Sequence, residues 1–325
     1  MSLFEIRNLS VSFSTPEGSV EAVRGVSLGL AAGESLAIVG ESGSGKSQTL
    51  LGALGLLASN GRVTAGRCVF AGRELDCGPS LEGLLGSQIG YIPQDAMGCL
   101  TPHLRLGTQL GELLMRHRGL GADSARRAAR ELLALVRLPD PDFRLDLYPH
   151  ELSGGQRQRV AIAAALAGQP AVLIADEPTT ALDVTVQAQV VALLRDLQAQ
   201  QDLALVTITH DLGVVAALGG RVMVMYAGQV VEEGQVEEVF RQPAHPYTAA
   251  LLAARPAAEA TRAGPMQTIP GSPPQPGSLG PGCAFAPRCS IAGTECIREA
   301  PLRTGMGRRV RCHHPLIAGA WQVSP

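Results

Sequence analysis

Gly40-Glu-Ser-Gly-Ser-Gly45-Lys46-Ser47 matches the pattern G-x-x-x-x-G-K-S/T and stands between a stretch of buried-strand character, Ser35–Val39, and an apolar helical stretch, Ser47–Leu57. Strand, glycine loop and helix in that order form a βα unit, which commits this part of the chain to an α/β fold. Glycines allow a turn so tight that successive backbone N–H groups face one anion, and the helix N-terminus adds the positive end of its dipole. Gly40, Ser42, Gly43, Gly45, Lys46, Ser47 and Gln48 are therefore candidate phosphate contacts, with the Ser47 hydroxyl also a candidate ligand of Mg²⁺. Of 27 basic residues Lys46 is the one lysine. A compact ammonium on a flexible stem reaches between β- and γ-phosphates where a planar guanidinium does not fit.

The remainder of the chain continues the theme. Residues 3–30 alternate apolar stretches with turns, as antiparallel strands do, and residues 108–137 read as helical, with the Ala122–Leu138 stretch halted by Pro139 and Pro141. Further on, helix is expected over Gly155–Ala167, strand over Ala171–Ala175, helix over Val184–Gln201, strand over Leu203–Thr209 and helix over Leu212–Leu218. That alternation predicts a mostly parallel sheet covered on both faces, with residues 96–165 as a helical insertion.

Bulk properties exclude several classes. Hydrophobic residues at 46% and charged residues at 17% are incompatible with wholesale disorder, and a net charge of −2 argues against binding nucleic acid by bulk charge. No apolar run reaches the length that spans a bilayer, and Glu5 and Arg7 interrupt the start where a secretory signal would be apolar, so a cytoplasmic protein is expected. In that compartment the seven cysteines should be reduced thiols or metal ligands, not disulfides. A shift to Pro-, Gly- and Ser-rich sequence over Arg255–Gly282 predicts two domains, residues 1–254 and 255–325.

Two more segments bear chemistry. Val172-Leu-Ile-Ala-Asp176-Glu177 is a buried strand ending in adjacent carboxylates: Asp176 is placed to hold Mg²⁺, Glu177 to act as a general base on water. Leu152-Ser153-Gly154-Gly155-Gln156 opens an apolar helix, where the serine serves either as a helix cap or as part of a second anion site.

Ser153-Gly-Gly-Gln, 23 residues before Asp176 and after a helical insertion, resembles the signature of ATP-binding cassette proteins. The resemblance implies a P-loop NTPase core with an antiparallel β subdomain and a helical subdomain. It further implies two cassettes packed head to tail, each ATP held between the phosphate loop of one and the signature of the other. In the same family pattern Gln94 links Mg²⁺ to the helical subdomain, Asp183 of Thr180-Ala-Leu-Asp communicates across the dimer, His210 is the switch histidine at the γ-phosphate, and Phe13 stacks on adenine unless it is a core residue.

The tail narrows the resemblance. Pro243-Ala-His-Pro-Tyr-Thr248, Pro287-Arg288-Cys289 and Val310-Arg-Cys312-His313 resemble the C-terminal region of ATP-binding subunits of dipeptide/oligopeptide importers, a family that includes nickel importers. The implied partners are a second, distinct ATPase subunit, two membrane permease subunits facing Gln94 and the helical insertion, and an extracytoplasmic substrate-binding protein. The implied location is peripheral, on the cytoplasmic face of the plasma membrane. Alternatives are a nickel or other small-solute importer ATPase, or a cassette ATPase outside transport. Cys283, Cys289, Cys296 and Cys312 have 5, 6 and 15 residues between them, a spacing that does not choose among zinc, an iron–sulfur cluster and buried small side chains. The segment's few large apolar residues leave little to fold around without a metal, and the family resemblance favours a 4Fe-4S cluster.

Overall fold

In the computed structural model of the chain, residues 2–96, 98–254, 268–275, 277–317 and 321–323 are described. The order begins β1 (Ser2–Thr15), β2 (Gly18–Ala31), β3 (Ser35–Val39), α1 (Lys46–Leu54), β4 (Gly61–Phe70), β5 (Arg73–Leu75), α2 (Pro79–Glu82) and β6 (Ile89–Ile92). The insertion follows as α3 (Leu106–Arg118), α4 (Ala122–Leu135) and α5 (Pro141–Arg144), then α6 (Gly154–Leu166), β7 (Val172–Asp176), α7 (Val184–Gln201), β8 (Ala204–Ile208) and α8 (Leu212–Leu218). The chain closes with β9 (Arg221–Tyr226), β10 (Gln229–Gln235), α9 (Val236–Arg241), α10 (Pro246–Ala253), β11 (Leu302–Gly305), β12 (Arg308–Arg311) and β13 (Gln322–Val323). No helix among the described residues is long and apolar enough to cross a membrane.

These elements fall into two compact units, each assembled from separate stretches of chain. One comprises Met1–Phe4, Leu30–Ser35 and Ser80–Ile208. Its strands run parallel in the order β6-β7-β8, with Ile92 opposite Ala175 and Asp176 opposite Ile208. Every residue of β7 and β8 is buried, as apolar strands covered on both faces must be. Parallel register brings the carboxyl ends of β6 and β7 side by side, so the loops that follow them meet.

The other unit comprises Glu5–Gly29, Leu36–Pro79 and Thr209–Pro325. Here β3 pairs in parallel with β9, Val39 opposite Val224, while β9, β10, β12, β11 and β13 pair antiparallel in succession. A second sheet has the order β2-β1-β4-β5. Cys68 on β4 and Cys77 beyond β5 form a disulfide, contrary to the expectation that every cysteine is reduced; the β4–β5 hairpin brings their Cα atoms to 5.3 Å, within bonding range.

Of the Pro-rich stretch, residues 255–267 and 276 lie outside the described residues; the others up to 282 form neither helix nor strand. The tail beyond it has more to pack around than its composition suggests. Phe285 is buried with Val39, Val224, Tyr226, Val231 and Tyr247. Strand β12 joins the edge of β10, where Arg308 forms a buried ion pair with Glu232 and Arg309 pairs with Glu233. Charged side chains thus supply anchoring that an apolar count misses.

Candidate functional site

The phosphate-binding loop leaves the carboxyl end of β3; Gly40 and Gly45 are required by space as well as by conformation, Gly43 by conformation alone. Gly40, Gly43 and Gly45 have φ of 153°, 77° and 97°. A Cβ on Gly40 would lie 2.2 Å from the Met225 carbonyl oxygen, and one on Gly45 would lie 2.5 Å from that of Ala22. Gly45 is the N-cap of α1, and no side chain caps that helix, so its first turn is suited to an anion. The Lys46 side chain, 6% exposed, folds back to donate from Nζ to the carbonyl oxygens of Gly40 (2.9 Å) and Glu41 (3.0 Å). Ser42 and Gly43 are exposed at the loop tip; Ser47 and Gln48 are half-buried in the first turn. Phe13 on β1 is half-buried, its ring so close to Gly61 that a Cβ there would lie 2.6 Å from Cε1.

The loop is held from outside at Ser44, whose carbonyl oxygen accepts from the Gly228 N–H at 2.9 Å, and more extensively at Glu41. The Glu41 N–H donates to Tyr247 Oη at 2.8 Å, and its carboxylate receives the Arg288 guanidinium, Nη1 to Oε2 at 2.6 Å and Nη2 to Oε1 at 3.0 Å. Neither Tyr247 nor Arg288 is assigned a role by sequence pattern. Arg288 lies 247 positions from its partner, and no local signal connects them.

In the other unit, the carboxylates at the end of β7 acquire distinct surroundings. Asp176 is buried and accepts from Tyr91 Oη at 3.3 Å. Burial first, and then the adjacent Asp176 charge, push the Tyr91 hydroxyl well above the usual range, so it stays a donor. Glu177, in the left-handed region at φ 46°, turns away from the strand, and its Oε2 accepts from Gln94 Nε2 at 3.2 Å and Thr180 Oγ1 at 2.8 Å. The structure therefore brings together Gln94, Asp176 and Glu177, which sequence alone places 83 residues apart at the outer pair. Tyr91 was not singled out by sequence; its parallel register with Ile174 is what sets it near Asp176.

Ser153 and Gly154 are exposed at the start of α6. Both sequence readings of Ser153 involve helix geometry, and a capping box is present: Ser153 Oγ accepts from the Gln156 N–H at 3.4 Å, and Gln156 Oε1 accepts from the Ser153 N–H at 3.1 Å. A Cβ on Gly155 would lie 2.4 Å from Val186 Cγ1, so this glycine lets α6 approach α7. Asp183 caps α7, accepting from the N–H groups of Thr185 and Val186 at 3.0 Å. His210 is exposed just beyond β8, ahead of Asp211, which caps α8.

In the tail, Cys283, Cys289, Cys296 and Cys312 line one small cavity together with His245, His313 and His314. Burial pushes the Cys312 thiol up to about 12, reinforced by the other three cysteines. A ligand that binds thiolates must therefore displace protons here. The compact grouping expected of a metal-ion site does not form: among the described residues no three His, Cys, Asp or Glu side chains are arranged to hold a metal ion.

The ABC transporter family profile matches residues 23–180, and that of the oligopeptide/dipeptide transporter C-terminal region matches residues 231–296. The oligopeptide transport ATP-binding protein OppD of Salmonella typhimurium is 48% identical over 317 residues, covering 97% of this chain and 94% of the relative. The dipeptide transport ATP-binding protein DppD of Bacillus subtilis is 47% identical over 306 residues, covering 93% of this chain and 91% of the relative. Among solved structures, the dimeric ATP-binding cassette MJ0796, in a post-hydrolysis state bound to ADP and Pi, is similar with a TM-score of 0.63 at 29% identity, covering 72% of this chain and 98% of that one. The transporter component cbiO1 from Clostridium perfringens gives the same TM-score of 0.63 at 29% identity, covering 74% and 91%.

Proposed function

The chain belongs to the ABC transporter family, and from that membership we propose how its residues divide the work of an importer's ATPase subunit. It binds and hydrolyses ATP to energise import of oligopeptides or dipeptides; its relatives OppD and DppD are named as oligopeptide and dipeptide transport ATP-binding proteins. The observation that carries the reading is the loop at residues 40–48, where Gly40 and Gly45 leave no room for a side chain and Gly45 opens a helix whose N-terminus no side chain caps.

Backbone N–H groups of Gly43, Gly45, Lys46, Ser47 and Gln48 bind the triphosphate, Lys46 carries the compensating charge, and Phe13, whose ring lies close to Gly61, stacks on adenine. The donor set of Ser47, Gln94 and Asp176, a hydroxyl, an amide and a carboxylate, suits Mg²⁺, which would neutralise charge on the β- and γ-phosphate oxygens. Glu177, oriented by Gln94 and Thr180, accepts a proton from water as the water oxygen attacks the γ-phosphorus and the β-phosphate oxygen departs with ADP. His210 positions the γ-phosphate. Ser153, Gly154, Gly155, Gln156 and Asp183 meet the nucleotide and loops of a second cassette, a distinct subunit. Two permease subunits dock on Gln94 and the helical insertion, whose exposed Phe143 offers apolar surface, at the cytoplasmic face of the membrane; an extracytoplasmic binding protein delivers the peptide. The functional division is a cassette over residues 1–254 and an extension over 255–325.

The four tail cysteines are read as ligands of a 4Fe-4S cluster. What supports this is the donor set: four thiols around one cavity with no carboxylate. Bound there the cluster would cross-link the tail. Iron and visible absorbance in anaerobically purified protein, lost on Cys289→Ser, are expected; colourless, iron-free protein overturns this part alone.

The whole reading is tested with the assembled transporter in vesicles. ATP hydrolysis and uptake of labelled peptide should both vanish with Lys46→Ala. Peptide uptake that persists in that variant overturns it.

A further inference from the structure

The phosphate loop contains a residue whose charge opposes its task. Glu41, second in the loop, adds a carboxylate to a segment that must receive a triphosphate, and like charges repel. The fold answers with Arg288, which comes from the tail. Its side chain is 4% exposed, and besides the two bonds to Glu41 it donates from Nε to the Pro270 carbonyl oxygen at 2.9 Å and from Nη1 to Tyr226 Oη at 3.2 Å. Its guanidinium carbon lies 5.8 Å from the Tyr226 ring centroid and 6.0 Å from that of Phe285. A planar fork so fully engaged cannot turn aside to leave Glu41 unneutralised. Tyr247, in the same aromatic cluster, takes the Glu41 N–H, so both the backbone and the side chain of this one loop residue are fixed by the C-terminal region.

We propose that Arg288 is a positioning residue for ATP binding: it neutralises Glu41 and locks the first turn of the phosphate loop, so that the tail segment 283–289 sets the affinity for nucleotide. This rests on residues 40–48 being the ATP site. Arg288 touches no nucleotide and acts through Glu41. Because Cys289 is the next residue, and Phe285 of the same cavity packs on Tyr247, whatever orders the cysteine-lined cavity is transmitted to Glu41 by its ion pair with Arg288 and by Tyr247.

The test is calorimetric titration of the full chain with Mg·ATP, with thermal melting recorded for every variant. Arg288→Ala should weaken binding about tenfold, the effect of one uncompensated neighbouring charge, and Arg288→Lys should fall between it and the wild type because an ammonium cannot make the fork. Arg288→Ala combined with Glu41→Gln should recover most of the loss, since the repelling charge is gone; titrating at a temperature where the melting curves show every variant fully folded separates this from a change in stability, which the second substitution would also repair. Arg288→Ala binding within about twofold of wild type, or a double variant no tighter than the single, overturns the proposal. If the wild-type chain binds no Mg·ATP, the ATP-site reading falls and this inference with it, whereas wild-type binding with an unaffected Arg288→Ala removes this inference only.

Discussion

The side-chain amide of Gln94 donates to the carboxylate of Glu177 at 3.2 Å, tying the loop after β6 to the loop after β7. If Glu177 is the base, Glu177→Gln in the assembled transporter should slow steady-state ATP hydrolysis by about 10²–10⁴-fold while nucleotide binding is retained. Gln94→Ala, which leaves Thr180 as an orienting donor, should have the smaller effect. A Glu177→Gln enzyme hydrolysing ATP at the wild-type rate would assign the proton transfer elsewhere.

Gly155 faces Val186 with no room for a methyl group. Gly155→Ala should lower unfolding free energy by about 1–3 kcal/mol, the cost of overpacking a close contact. Adding Val186→Ala should return part of that stability, as measured by urea denaturation. Additive losses would place the role of Gly155 outside packing.

The Arg308–Glu232 pair is buried, at 5% and 0% side-chain exposure. Arg308→Met should cost about 3–5 kcal/mol, because it strands the Glu232 charge away from water. Arg308→Met with Glu232→Gln should be less damaging than Arg308→Met alone. The reverse order in denaturation midpoints would show that Glu232 is neutralised by another group.

Cys68 and Cys77 should resist alkylation in protein purified without reductant, while exposed Cys99 reacts. Mass spectrometry before and after reduction reads the difference. Equal labelling of all three before reduction would mean that the hairpin holds two thiols.

How far the sequence discloses the structure varies with the range of the forces involved. Helices α7 and α8 begin and end where the sequence places them because their limits are local: Asp183 and Asp211 cap their starts, and Asp202 and Gly219 take up positive φ at their ends. Helix α4 stops at Leu135, three residues short of its expected end, because Arg137 adopts a φ of 57° ahead of Pro139. Helix α1 likewise stops at Leu54, with Gly55 left-handed, short of Leu57. Strands β11 to β13 are illegible by contrast. Arg308-Arg-Val-Arg311 has one apolar residue in four and no strand pattern of its own; the glutamates of β10, 76 positions earlier, supply its partners. The phosphate loop and the carboxylates of β7 announce themselves as compact motifs; Tyr91, Tyr247 and Arg288, which hold those motifs in place, enter only through contacts that tertiary folding creates.

Strand β12 has a protective role that follows from its position. A chain ending at residue 254 would leave β10 at the border of its sheet, its outward N–H and C=O groups unpaired and Glu232 without a cation. Such a border recruits other strands. Shortened protein should therefore stick to itself in a concentration-dependent manner, a hazard that the chain forestalls by folding residues 308–311 back as the missing neighbour.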